Sequence, residues 1–252
     1  MMTTQIDTLQ ACIDESRRIV FFGGAGVSTE SGIPDFRSTD GLFKQAYSHP
    51  PEVILSRSFF DLHPDVFFRF YREKMLCLTA KPNPAHLKLA ELEDAHRLRG
   101  IITQNIDGLH QAAGAKSVLE LHGSVLSNHC LACGSFYSLE ALIALIDGHD
   151  VPYCDCGGII KPDVVLYEEA LDSEVLQQAE LAVRQADLLI IGGTSLQVYP
   201  AAGLVRLFGG KSLVLINRGT TPYDKHCDLL IQESIGSVMA QIEVIPLSVH
   251  DN

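Results

Sequence analysis

The sequence contains no tryptophan and few basic residues: 19 Lys and Arg stand against 31 Asp and Glu, a formal net charge of −12. A protein that holds nucleic acid by charge alone needs the opposite balance. No direct nucleic-acid partner is expected. The acidity would suit a basic protein substrate, but it is read first as an aid to solubility. No uninterrupted apolar segment reaches the length of a bilayer crossing, so no membrane partner is expected. The first residues, MMTTQIDTLQ, lack the basic stretch and apolar run of a secretory leader. The expected compartment is the cytoplasm, where thiols stay reduced. The seven cysteines therefore call for a reading other than disulfides.

What is present is a large apolar fraction. Hydrophobic residues make up 46% and charged residues 20% of 252 residues, enough for a sizeable core. Apolar runs at 18–22, 100–103, 118–121, 187–191, 212–216 and 229–231 read as buried strands. Helical spacing predicts helices over 5–18, 84–98, 172–185, 200–208 and 234–242. The alternation predicts an α/β fold, a Rossmann-type parallel sheet with helices on both faces. Such sheets bind ligands at the carboxyl ends of their strands. Two segments break the alternation. Residues 37–80 are rich in aromatic and charged residues, and residues 124–161 hold paired cysteines. Together they are expected to form one smaller inserted domain. Residues 1–36, 81–123 and 162–252 remain for the sheet domain.

Four constellations carry chemistry. Gly24-Ala25-Gly26-Val27-Ser28-Thr29 follows the first strand. Glycines there let the backbone approach a pyrophosphate, and a following helix would offer free N–H groups. The third glycine of G-x-G-x-x-G is missing, because Thr29 holds its place. Gln104-Asn105-Ile106-Asp107 sits at a strand end, with amides and a carboxylate suited to a carboxamide and ribose hydroxyls. His122 ends another apolar run and precedes Gly123. Histidine is the side chain best poised for proton transfer near neutral pH. His86 and His110 are read as structural. Finally, Cys130 and Cys133, with Cys154 and Cys156, form two close pairs that can enclose a tetrahedral zinc. Four thiolates leave no open position, so that metal is expected to be structural.

Residues 24–37, GAGVSTESGIPDFR, resemble the signature of the sirtuin family. Residues 103–110 with His122-Gly123, 161–167 and 193–200 resemble its further blocks, in family order. The resemblance implies NAD-dependent removal of acyl groups, chiefly acetyl, from protein lysines. NAD is consumed, and nicotinamide and O-acetyl-ADP-ribose leave. It implies NAD contacts from Gly24, Ala25, Gly26, Thr29, Phe36, Arg37, Gln104, Asn105, Ile106, Asp107 and His122. Further contacts are implied for Gly193, Thr194 and Ser195, and at the adenosine end for Asn217, Arg218, Ser234 and Ile235. Ser234 is read equally well as a helix cap. His122 is implied as general base, with Asn105 and Asp107 as catalytic partners, and Phe36 as a shield against water. An extended acyl-lysine peptide is expected between the domains, bonded to the main chain near Val164, Val165, Leu166 and Val198.

Two departures from relatives stand out. Glu168 stands where many relatives carry glycine. Phe68 and Tyr71 stand where desuccinylating relatives carry a Tyr and an Arg, so a pocket for neutral acyl groups is expected. An ADP-ribosyltransferase using the same NAD site is the alternative function.

Overall fold

The computed structural model describes residues 2–35, 49–147 and 149–247. Helix α1 (Met2–Glu15) leads into β1 (Ile19–Gly23), which is followed by two single 3-10 turns, Ala25–Val27 and Thr29–Ser31. Then come α2 (Pro51–Ile54), α3 (Arg57–Leu62) and α4 (Pro64–Phe70), the last running into a π turn, Tyr71–Met75. Next are α5 (Pro84–Asp94), β2 (Leu98–Thr103), α6 (Leu109–Ala112), β3 (Val118–Glu120) and β4 (Gly123–Cys130). After β5 (Phe136–Ser138), α7 (Leu139–Ile146) and β6 (Ile160–Val164), the chain returns through α8 (Ser173–Gln185) and β7 (Leu188–Gly192). A 3-10 helix (Ala201–Leu207), β8 (Ser212–Ile216), β9 (Leu229–Ile231) and α9 (Ile235–Met239) complete it.

All six expected strands form one parallel sheet in the order β3-β2-β1-β7-β8-β9. Successive side chains of a strand point to opposite faces. Ile19 and Phe21 accordingly join a core with α1, α5 and α9, while Val20 and Phe22 join a second core with α8 and the 3-10 helix. A sheet buried on both faces explains why its strands read as continuous apolar runs. A second, antiparallel sheet, β5-β4-β6, packs with α2, α3, α4 and α7 around a third core rich in phenylalanine. No helix among the described residues is long and apolar enough to cross a membrane.

Several helices differ from the periodicity in extent or type, α9 among them, which ends at Met239. Helix α1 stops at Glu15 because Arg97 reaches across the chain to cap it: its Nη1 donates to the carbonyls of Ile13, Asp14 and Ser16, each at 3.1 Å. A cation at a helix C-terminus meets the orphan carbonyls there. Helix α5 ends four residues early because His96 turns left-handed, at φ 62°, and sends Leu98 into β2. The stretch expected as a helix over 200–208 is 3-10 rather than α.

Candidate active site

The parallel sheet reverses its strand order at β1, whose neighbours are β2 and β7. Crevices form at such switch points, beyond the carboxyl ends of the strands. Here the ends of β1 and β7 nearly touch: the Gly24 N–H donates to Gly192 O at 3.3 Å, and the Gly26 N–H to Gly193 O at 2.8 Å. Gly193 has φ 57°, and a Cβ there would lie 2.3 Å from Val27 N. Only glycine permits that approach. The loop does not open a regular α-helix, as the pyrophosphate analogy suggested. It coils through two 3-10 turns and leaves through Gly32 at φ 85°.

Above these ends lies a cleft of about 1120 Å³ between the two sheets. It is lined by Gly24, Ala25, Gly26, Thr29, Gln104, Asn105, Ile106, Asp107 and His122. Gly193, Thr194, Ser195, Asn217, Arg218, Ser234 and Ile235 line it from the β7–β9 side, and Val164, Val165, Leu166 and Val198 complete the wall. Every candidate organic-ligand residue that is described faces this one space. Phe36 and Arg37 lie outside the described residues.

Ser28, which the sequence offered only as part of the glycine loop, organises the centre. Its Oγ donates to Asp107 Oδ2 at 2.6 Å and accepts from Asn105 Nδ2 at 3.0 Å. The other Asp107 oxygen accepts from the Leu109 N–H at 2.9 Å. Asn105 is buried, and its own N–H donates to Thr103 Oγ1 at 3.0 Å. Gln104 Nε2 donates to Thr194 Oγ1 at 3.0 Å, tying the β2 end to the β7 end. Hydrogen bonds within the protein thus orient each of these side chains.

His122 sits where the chain passes from β3 to β4 and from one sheet to the other. Gly123 makes the crossing at φ 73°, packed so closely that a Cβ would run into the Asp163 carbonyl. His122 Nδ1 lies 3.0 Å from the Gln104 carbonyl. A carbonyl only accepts, so Nδ1 carries the proton and Nε2 is left with its lone pair. Burial lowers the imidazole pKa, and the Gln104 contact opposes this in part. The ring is therefore neutral at pH 7, the form a general base needs.

At the end of β8, Asn217 Nδ2 donates to Gly219 O at 2.8 Å. Ser234 Oγ donates to Glu30 Oε1 at 3.2 Å, while Glu30 Oε2 accepts from the Gly236 N–H at 2.6 Å. Ser234 holds the N-cap position of α9, but its side chain caps no N–H, and Glu30 supplies the acceptor instead, a role with no trace in the local sequence. Just after β6, the Val165 N–H donates to His122 O at 2.9 Å and the Leu166 N–H to Glu169 Oε2 at 2.8 Å.

Phe68 and Tyr71 do not line the cleft, although the acyl-pocket expectation placed them there. Both are fully buried in the third core, and the Tyr71 hydroxyl finds no partner among the described residues. The same helix reaches the cleft through Lys74 and Met75. The π turn inserts an extra residue per turn there and re-aims the last side chains.

The four cysteine sulfurs all lie within 4.8 Å of one another, with Cys130 to Cys156 at 3.5 Å and Cys133 to Cys154 at 3.6 Å. A tetrahedron with Zn–S bonds of about 2.3 Å has edges of about 3.8 Å, so the set fits zinc. The site lies at the far end of β4, and none of its cysteines lines the cleft.

A family model described as the Sir2 family matches residues 24–200. The chain is 54% identical over 245 residues to an NAD-dependent protein deacetylase of Clostridium acetobutylicum, covering 96% of this chain and 99% of that one. It is 42% identical over 244 residues to an NAD-dependent protein deacetylase of Staphylococcus aureus, covering 96% and 99%. A solved complex of Sir2 with a p53 peptide and NAD+ superposes with a TM-score of 0.84 at 40% identity, covering 93% of this chain and 95% of that one. Sir2 bound to an acetylated peptide gives 0.84 at 39%, with the same coverage.

Proposed function

The chain belongs to the Sir2 family, and from that premise we propose how its cleft residues divide the work of deacetylation. The protein is an NAD-dependent protein-lysine deacetylase, acting on acylated lysine in peptides and proteins. NAD, when bound, supplies an electrophilic ribose carbon with nicotinamide as its leaving group. Gly24, Ala25, Gly26 and Thr29, with Gly193, Thr194 and Ser195, cradle the phosphates through close backbone approach. Asn217, Arg218, Ser234 and Ile235 hold the adenosine end. Gln104, Ile106 and Asp107 hold the nicotinamide half, and Asn105 orients the reacting ribose. His122 Nε2, with its free lone pair, would take the proton of a ribose hydroxyl as general base. Val164, Val165, Leu166 and Val198 flank the acyl-lysine peptide. By the family resemblance, Phe36 would shield the reaction from water and Arg37 would contact NAD.

The observation that carries this reading is the convergence of Asn105, Asp107 and His122 beside the β1–β7 glycines, with Ser28 bonded to two of them. Zinc is structural: its four thiolates stand outside the cleft and leave no open position for chemistry. We assign residues 1–36, 81–123 and 162–252 to the NAD-binding domain, and 37–80 with 124–161 to the small domain. The separate third core supports that division, with β6 running across the boundary at 162. Seven cysteines without a disulfide, four of them grouped as metal ligands, suit work in the reducing cytoplasm.

The deciding experiment incubates the protein with NAD and an acetyl-lysine peptide and follows every product. Nicotinamide, free lysine and O-acetyl-ADP-ribose should appear in equal amounts. ADP-ribose attached to protein in place of O-acetyl-ADP-ribose would favour the transferase alternative.

A further inference from the structure

Glu168 holds a backbone conformation that side chains avoid, with φ 77°. Strain of this kind persists only where the surroundings over-determine it, and it concentrates at functional sites. Here the surroundings are the first turn of α3. The Glu168 carboxylate accepts from the Ser58 N–H at 2.9 Å through one oxygen and from Ser58 Oγ at 3.0 Å through the other. A side chain that bonds both the N–H and the hydroxyl of one residue holds that residue in place, and an amide of the same shape can make both bonds.

Neighbouring bonds extend the seam. The Arg57 N–H donates to Tyr167 O at 3.0 Å, and the Tyr167 N–H to Leu55 O at 2.9 Å. Arg57 Nη1 meets Glu169 at 3.1 Å, and Glu169 in turn meets the buried Lys161 at 3.1 Å. Leu55, Tyr167, Glu168 and Glu169 all line the cleft. Glu168 thus ties the end of the 164–167 wall to a helix of the neighbouring unit.

We propose that Glu168 is a positioning residue for the acyl-peptide, its carboxylate strapping the 164–167 wall to α3. Glycine at 168 would relax the strained backbone but lose the strap. The wall would then have to be ordered by each incoming peptide, and apparent peptide affinity would fall. This rests on the reading that the peptide lies between that wall and Val198.

The test is steady-state deacetylation of one acetyl-lysine peptide, with the KM for peptide and the KM for NAD measured separately. E168G should raise the peptide KM by about five-fold, the scale of one or two lost hydrogen bonds. Its kcat and its KM for NAD should stay within about two-fold, since bonds at the peptide wall act on ground-state peptide binding. E168Q keeps the shape, and its amide can still accept from the Ser58 N–H and donate to Ser58 Oγ. It should therefore remain within about two-fold of wild type. Three results would overturn the strap: an unchanged peptide KM in E168G, equal rises in both KM values, or a loss in E168Q as large as in E168G. The last would mean that the charge itself meets the substrate. V198D in the opposite wall separates the two levels of inference. If V198D leaves the peptide KM unchanged, the cleft reading falls and the strap falls with it. If V198D raises it and E168G does not, the strap alone is wrong.

Discussion

His122 shows how a single side chain is tuned by its neighbours. The Gln104 carbonyl selects the tautomer, and burial moves the pKa below the ordinary value of 6.5. Replacing His122 with alanine should lower deacetylation by at least ~10²-fold while the melting temperature stays close to wild type. The pH profile of kcat/KM carries the sign of the shift. A base must be neutral to act, so the acid limb should have its midpoint below 6.5, and activity should persist into mildly acidic buffer. A limb centred well above 6.5 would point to another group. Local sequence made His122 legible, because an apolar run delivers it and glycine follows. Ser28 and Glu30 were not legible in the same way. Their partners, Asn105, Asp107 and Gly236, lie 77, 79 and 206 positions away, and no local pattern encodes such pairings.

At the scale of elements, the zinc module is the clearest test. Strand β4 begins at Gly123, beside His122, and ends at Cys130. A metal held there would staple the far end of a strand whose near end lies beside His122. Metal analysis of freshly purified protein should find one zinc per chain. Cys154→Ser, or removal of zinc by a strong chelator, should destabilise the small sheet by roughly 2 kcal/mol or more, about 5 °C at this chain length. Calorimetry or circular dichroism would register it, and a variant that melts like wild type would remove the metal's structural role. The ligand spacing alone indicated this module. The π turn at Tyr71–Met75 had no such sign. Phe68 and Tyr71 stay in the core, and the turn brings Lys74 and Met75 to the cleft. One extra residue in a turn leaves the apolar composition of a helix intact while rotating everything beyond it.

The whole molecule carries a pH dependence of its own. His86 and His110 lie buried with ring centroids 4.7 Å apart, and neither His110 nitrogen has a partner among the described residues. Burial lowers the His86 pKa, opposed by the Asp107 charge; burial and then His86 push that of His110 down to about 3. The unfolded chain takes up these protons near 6.5 and the folded one does not. Stability is therefore complete above 6.5 and is lost as pH falls toward about 3, by up to about 1.4 kcal/mol per pH unit for His110. Denaturant midpoints at pH 7, 6 and 5 should trace this fall, and His110→Phe should flatten it. An unchanged slope in that variant would assign the acid sensitivity elsewhere. Sequence by itself determined the layered α/β class, the six strands and the zinc ligands. It also marked the blocks around 24, 104, 122 and 195, because apolar periodicity, glycine placement and ligand spacing are written along the chain. Only tertiary structure decided where α1 stops, that Ser28 locks Asn105 to Asp107, which turn of the inserted helix meets the cleft, and what holds Glu168 left-handed. Each of these depends on groups far apart in the chain, whose distance and burial exist only once the two sheets have packed.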